Sequence, residues 1–111
     1  MDAILGAAGL KDIGYHFPDS AEEYKGISSI ELLKAVKVKL QEKGFALSNV
    51  DATVIAQRPK LAPYIDEMTK RVADALGVDP SDVNTKATTE EHLGFTGEGL
   101  GISAHAVCLI R

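Results

Sequence analysis

The 111-residue sequence has little that would commit it to a disulfide, a metal cage or a bilayer. It holds one cysteine, Cys108, so no intrachain disulfide can form, and no Cys/His spacing of a zinc site exists. A reducing, cytoplasmic setting is the expectation. No apolar run approaches the roughly 20 residues that span a membrane. Basic charge is not in excess: 12 Lys+Arg against 16 Asp+Glu give a net charge of −4. That excludes a domain-wide surface for nucleic acid polymers and leaves room for one local phosphate site. His16, His92 and His105 stand apart, with no H-x-H or H-E-x-x-H pair, so spacing supports no metal ligation. The nucleophile patterns G-x-S-x-G and S-x-x-K are missing, as are repeats, low-complexity tracts and any dividing linker. What is present is ordinary for a globular chain, 45% hydrophobic and 25% charged. Residues 1–111 fit one domain that buries roughly 65% of its unfolded surface, a thin core.

Met1–Leu10 is apolar, but Asp2 stands where a signal peptide needs a cation, and the run is short. Ile4, Leu5 and Ala8 sit at helical spacing, with no polar cap before them. Lys11–Gly26 has no sustained period and reads as a long irregular loop. Ser28-Ser29-Ile30-Glu31 has the pattern of a capping box. The helix it opens runs to about Lys43, with Leu33, Val36 and Leu40 on one face, and Gly44 stops it. In Phe45–Gln57, Val50, Ala52, Val54 and Ala56 alternate with Asp51, Thr53, Ile55 and Gln57, the pattern of a strand with one face well buried. Pro59 ends it. A second helix spans about Ala62–Leu76, with Ile65, Met68, Val72 and Ala75 inward and Gly77 as its stop. Val83–Thr88 reads as a short strand and Gly101–Arg111 as a long one, with a glycine-rich loop between. Amphipathic helices must cover a sheet, so the expected fold is α+β, a two-layer sandwich with the helices on one face of a small mixed sheet. Three strands leave a face and an edge for further strands or partner chains to bury.

Three segments have residue types that bind phosphate or polyol, and each also has an ordinary structural reading. Thr88 and Thr89, with Glu90 and Glu91, stand where a strand gives way to a loop. Hydroxyls and free amides there bind phosphate oxygens, and a nearby carboxylate holds a bridging divalent ion. The alternative is a strand end with a short helical turn capped by Thr88 or Thr89. Arg58 and Lys60 lie just before a helix N-terminus, which suits an anion, although local evidence alone favours a solvated basic turn. Asp12 and Asp19 either accept hydrogen bonds from a polyol or form turns. Gly97-x-Gly99-x-Gly101 follows no strand and opens no helix, so it is weak as a dinucleotide signal. His105 reads as a packing or interface residue on a strand, and Cys108 as a small buried hydrophobe.

Taken together, GAAGLKDIGYHFPDS, NVDATVIAQRPKL and VNTKATTEEHLGFTGEGLGI resemble the 2-C-methyl-D-erythritol 2,4-cyclodiphosphate synthase family of the non-mevalonate isoprenoid pathway. The likeness runs in order from Met1 to Arg111, on the patterns D-I-G-x-x-F-P-D, I-A-Q-x-P-K and K-A-T-T-x-E-x-L-G-F-T-G. It implies cyclisation of 4-diphosphocytidyl-2-C-methyl-D-erythritol 2-phosphate with release of CMP. It further implies that Asp12, Gly14, Phe17 and Asp19 hold the methylerythritol and its phosphate, and that Ala56, Lys60 and Leu61 form the cytidine pocket. Thr88, Thr89 and Glu91 match the phosphate and metal segment, and Phe95 a nearby substrate contact. Thr89 is the implied catalytic residue and Glu91 the ligand of magnesium or manganese. A homotrimer with sites between subunits is implied as well.

The chain departs from the family pattern in three places. The N-terminal third, with its first strands and the Asp-x-His and later His that bind zinc, has no counterpart, so Met1 is expected to fall inside the family's first long helix. No zinc ligands are expected in this chain, and little turnover from it alone. Glu98 stands where Arg is frequent, and Ala21 where an acidic residue is common. The alternative to an enzyme is a truncated relative that keeps nucleotide or subunit binding without catalysis.

Overall fold

β-Branched residues and alanine recur at every second position from Val50 to Val54, a spacing that suits a pleated strand. The computed structural model, which describes residues 1–111, builds β1 there, over Leu47–Ile55. β2 covers Val83–Thr88 and β3 Ser103–Ile110. The sheet order is β2-β1-β3. β1 runs parallel to β2, from Val50 opposite Val83 to Ile55 opposite Thr88. It runs antiparallel to β3, from Leu47 opposite Ile110 to Ile55 opposite Ser103, with an irregularity between Leu47 and Asn49.

Helices α1 (Asp2–Ala7), α2 (Ile13–His16), α3 (Ser29–Glu42), α4 (Ile65–Leu76) and α5 (Gly94–Gly97) complete the chain with three 3-10 turns. The fold is α+β, with α1 against β3, α4 against β2, and α3 packed on both helices. One apolar cluster joins Ile4 and Leu5 of α1 and Ala8 just after it, Leu33, Val36 and Leu40 of α3, and Ala73, Ala75 and Leu76 of α4 to Leu47, Val50 and Val83 of the sheet. The two long helices therefore share one face of the sheet, as their apolar stripes require. Gly77 closes α4 at φ 67°, a left-handed conformation that glycine adopts without a Cβ clash.

Four expectations change. The Ser28–Glu31 capping box does not close. Ser28 Oγ accepts from the Ile30 amide at 3.2 Å, and Glu31 instead bonds Lys34 one turn on, at 3.0 Å, where an opposite charge is available. Lys11–Gly26 is not all irregular, since it contains α2 and a 3-10 turn at Glu22–Tyr24. In α4, Ile65, Met68 and Val72 are only half-buried, and Ala73 and Leu76 join Ala75 as the buried positions. The inner face of β1 is buried at Val50, while Ala52 and Val54 stay half-buried. The helical layer stops short: Ala87, Ala104 and Ala106 on the same face are exposed.

The Thr69 hydroxyl of α4 donates to Thr85 at 3.0 Å, which fixes the helix-facing side of β2. Strand alternation then puts Asp51, Thr53, Ile55, Asn84, Lys86, His105, Val107 and Leu109 on the opposite, uncovered face. Val107 and Leu109 are each 65% exposed there. Asp51 joins the strands on this face by pairing with Lys86 and accepting from Asn84 at 3.0 Å. Lys86 first, and Asn84 second, hold its carboxyl below the usual aspartate range. Cys108 is half-buried, and burial raises its thiol pKa.

Candidate nucleotide and phosphate site

Parallel pairing brings the ends of β1 and β2 out side by side, and the Ala56 amide donates to the Thr88 carbonyl at 3.0 Å. The helical layer stops short of this end of the sheet, where Ala87, Thr88 and Thr89 are exposed. After β1 the chain turns through the cis Arg58–Pro59 bond into the 3-10 turn Ala62–Tyr64 and then α4. A cleft of about 320 Å³ lies between the two exits, lined among others by Ala56, Lys60, Leu61, Ile65, Thr88 and Thr89. Five of the residues singled out from sequence thus meet in one cleft. Ala56 is buried, Leu61 half-buried, and Lys60, Thr88 and Thr89 are exposed. Lys60 forms no ion pair, which leaves an ammonium free beside two hydroxyls. The ammonium and the Thr89 hydroxyl, with an apolar wall, suit a ligand with a planar body and a charged phosphate.

The chain beyond β2 is tightly constrained. Thr89 Oγ1 accepts from the Glu91 amide at 3.3 Å, so its own proton is free to donate outward. The Thr88 hydroxyl donates to the Thr89 carbonyl at 3.4 Å. Glu91 and His92 both lie in the left-handed region, at φ 53° and 66°, where a non-glycine residue costs about 1–3 kcal/mol. Two contacts hold them. Gln57 Oε1 accepts from the His92 amide at 3.2 Å. Gly97 packs on the same residue, where an added Cβ would lie 2.8 Å from His92 Cα, so only glycine fits. Neither Thr88 nor Thr89 caps a helix; α5 begins later, with Leu93 as its cap position.

The other expected site residues lie apart from this cleft. Glu91 is exposed and does not line it. Phe95, 59% exposed, lines a neighbouring cleft of about 370 Å³ with Leu93 and His105. Asp12 caps α2 by accepting from the Tyr15 amide at 2.9 Å, and Gly14 lies within that helix. Asp19 is exposed. Phe17, expected as a substrate contact, is 8% exposed and belongs to the core. Its ring meets Tyr24 edge-on at 5.3 Å, with the Lys39 ammonium 5.7 Å from its centre, so its side chain is occupied in packing.

The donor sets separate the two implied metals. Magnesium is commonly held by one or two carboxylates together with substrate phosphates, and the unpaired, exposed Glu91, two residues beyond Thr89 of the cleft, is a carboxylate of that kind. Zinc requires three or four converging His, Cys or carboxylate groups. No group of three such side chains converges in the structure.

Sequence reading missed Gln57. It lines both the Lys60–Thr89 cleft and a polar cleft of about 490 Å³ with Arg58, His92, Gly97 and Glu98. Its place between Ala56 and the basic turn is visible in the sequence, but a bond to a backbone amide 35 residues away leaves no periodic trace.

The chain has relatives among known proteins and solved structures. The chain is 61% identical over 111 residues to the 2-C-methyl-D-erythritol 2,4-cyclodiphosphate synthase of Lachnospira eligens, of which it covers 61%. It is 60% identical over 111 residues to that of Clostridium novyi, of which it covers 71%. Both matches take in the whole of this chain, which is thus shorter than either relative. Among solved structures, bifunctional IspDF from Campylobacter jejuni aligns with a TM-score of 0.94 at 44% identity, covering 98% of this chain and 30% of that one. The CDP complex of IspF from Plasmodium falciparum aligns with a TM-score of 0.84 at 34% identity, covering 98% and 65%. The profile described as the YgbB family matches residues 1–111, and the chain belongs to that family.

Proposed function

We propose that this chain carries the nucleotide and phosphate half of a 2-C-methyl-D-erythritol 2,4-cyclodiphosphate synthase, a cyclising lyase of isoprenoid biosynthesis. Its substrate would be 4-diphosphocytidyl-2-C-methyl-D-erythritol 2-phosphate. The observation that carries the reading is the meeting of Lys60 and Leu61 with Thr88 and Thr89 across the parallel ends of β1 and β2. Relatives at 60–61% identity bear that synthase name, and an aligned IspF is a CDP complex.

In the proposed reaction an oxygen of the 2-phosphate attacks the β-phosphorus of the same molecule. The bond from that phosphorus to the bridging oxygen breaks, and CMP leaves with the electron pair. The product is a cyclic diphosphate with an eight-membered ring. No proton need be removed from an ionised phosphate, so the chain's task is to position groups and offset charge. Ala56 and Leu61 flank the cytosine, Lys60 offsets phosphate charge, and the Thr89 hydroxyl donates to an oxygen whose charge grows in the transition state. Glu91 would hold magnesium or manganese, which when bound neutralises diphosphate charge. Asp12 and Asp19 would hold the methylerythritol end from another copy of the chain, since neither lines the Lys60–Thr89 cleft. A cytoplasmic location fits a chain whose single cysteine can form no intrachain disulfide.

A homotrimer completes this reading. The sheet face bearing Val107 and Leu109 is uncovered, and β2 and β3 are both edge strands. Light scattering is expected to give the mass of three chains; a monomer at micromolar concentration refutes the trimer.

Lys60→Ala is expected to weaken CDP binding about 10- to 100-fold, the loss of one charge-assisted hydrogen bond. Calorimetry that finds unchanged affinity removes Lys60 from the pocket. Catalysis is tested by CMP release from the cytidyl substrate. A chain that binds CDP but releases no CMP has the site without the reaction, the outcome expected of a non-catalytic relative.

A further inference from the structure

We propose that Gln57 is a positioning residue, which holds the Thr89–Leu93 loop so that the Glu91 carboxylate meets a metal-bound diphosphate. The inference rests on the nucleotide and phosphate reading of the cleft above. Gln57 is half-buried at the exit of β1 and reaches across to the exit of β2, where its Oε1 accepts from the His92 amide at 3.2 Å. No other side chain bonds the backbone of Glu91 or His92 from outside their own loop: Glu91 N–H goes to Thr89, two residues before it. Both residues have φ values that L side chains seldom adopt, so the loop needs an external partner to keep this shape. Gly97 packs on the His92 backbone, and it limits how far the loop can shift without bonding it to the β1 exit. Gln57 supplies that bond and itself lines the cleft beside Lys60 and Thr88.

The same geometry makes a selective claim. Gln57 has a second polar atom, Nε2, which makes no hydrogen bond within the chain. The Oε1 bond serves the loop and therefore Glu91. The nucleotide's apolar contacts, Ala56 and Leu61, precede and follow Gln57 and do not depend on it. Loss of the acceptor should then affect the metal-dependent part of nucleotide binding and spare the metal-independent part.

Two substitutions separate the acceptor from bulk. Gln57→Met keeps the length and volume of the side chain and removes the acceptor. Gln57→Glu keeps an acceptor for the His92 amide. Hydrogen exchange of that amide is expected to speed up about tenfold or more in Gln57→Met and to stay close to wild type in Gln57→Glu. Unchanged exchange in Gln57→Met overturns the proposal whatever the nucleotide does. In calorimetry with CDP, magnesium is expected to raise wild-type affinity and to lose most of that increment in Gln57→Met. The measured quantity is the ratio of affinities with and without magnesium, because Gln57 itself lines the cleft, and Gln57→Glu should restore part of that ratio. Equal weakening with and without magnesium would make Gln57 a structural residue and overturn the positioning role. If the wild-type chain binds no CDP at all, the nucleotide reading of the cleft fails, and the exchange measurement still decides whether Gln57 holds the loop.

Discussion

In a chain that releases CMP, Thr89→Ala is expected to lower the rate of that release by about 10²–10³-fold while leaving CDP affinity within a few fold. A preorganised donor to a transition-state oxygen is worth that much, about 2.7–4 kcal/mol, because it acts where charge grows and costs no reorganisation. Thr89 is suited to this because its oxygen is already engaged by the Glu91 amide, which orients the remaining O–H bond. The alanine variant also frees that amide, so Thr89→Ser is the needed companion. Serine keeps both the acceptor and the donor and should retain most of the rate. Equal losses in the two variants would mean that the hydroxyl is not the active part of Thr89, and a KM increase with kcat unchanged would mean that it binds ground state and transition state alike.

Leu5→Ala is expected to destabilise the fold by about 2–5 kcal/mol, read as a lower urea midpoint at constant slope. Leu5 is fully buried, in the shared cluster where α1 meets β3 and α3. The loss is a large part of the about 5–15 kcal/mol that holds a typical domain folded. Leu109→Ala is the contrast. Its side chain is 65% exposed on the uncovered face, and in a single chain its loss should shift stability by about 0.5 kcal/mol or less. A Leu5→Ala midpoint indistinguishable from wild type would show that α1 is not part of the cooperative core.

Some of this was legible in the residues and some was not, for physical reasons that differ by site. Val83–Thr88 matches the strand expected from its pattern, and Gly77 ends α4 where a glycine stop was expected, because period and left-handed caps are local properties. The meeting of Lys60 with Thr88 and Thr89 followed once two parallel strands were in place. Phe17 was harder, because a single aromatic in a polar stretch has no period to say that it turns inward. Glu31 matched a capping pattern, but the pattern could not weigh the competing charge of Lys34. Gln57 depends on where His92 lies in space, and nothing within ten residues of either position records that.

Parallel pairing of β1 with β2 also sets when the site can exist during folding. An antiparallel pair can begin at a tight hairpin, but Val50 meets Val83 only after the intervening chain, α4 included, has looped back over the sheet. Closing a loop of that length must occur before any ladder bond rewards it. Neither exit segment alone has a partner, so an isolated fragment ending before β2 has Lys60 without Thr88 and Thr89. The ligand can therefore select only the closed ladder. Binding it draws the equilibrium toward chains that have completed this crossover, so CDP would act on this protein as a folding ligand as well as a substrate fragment.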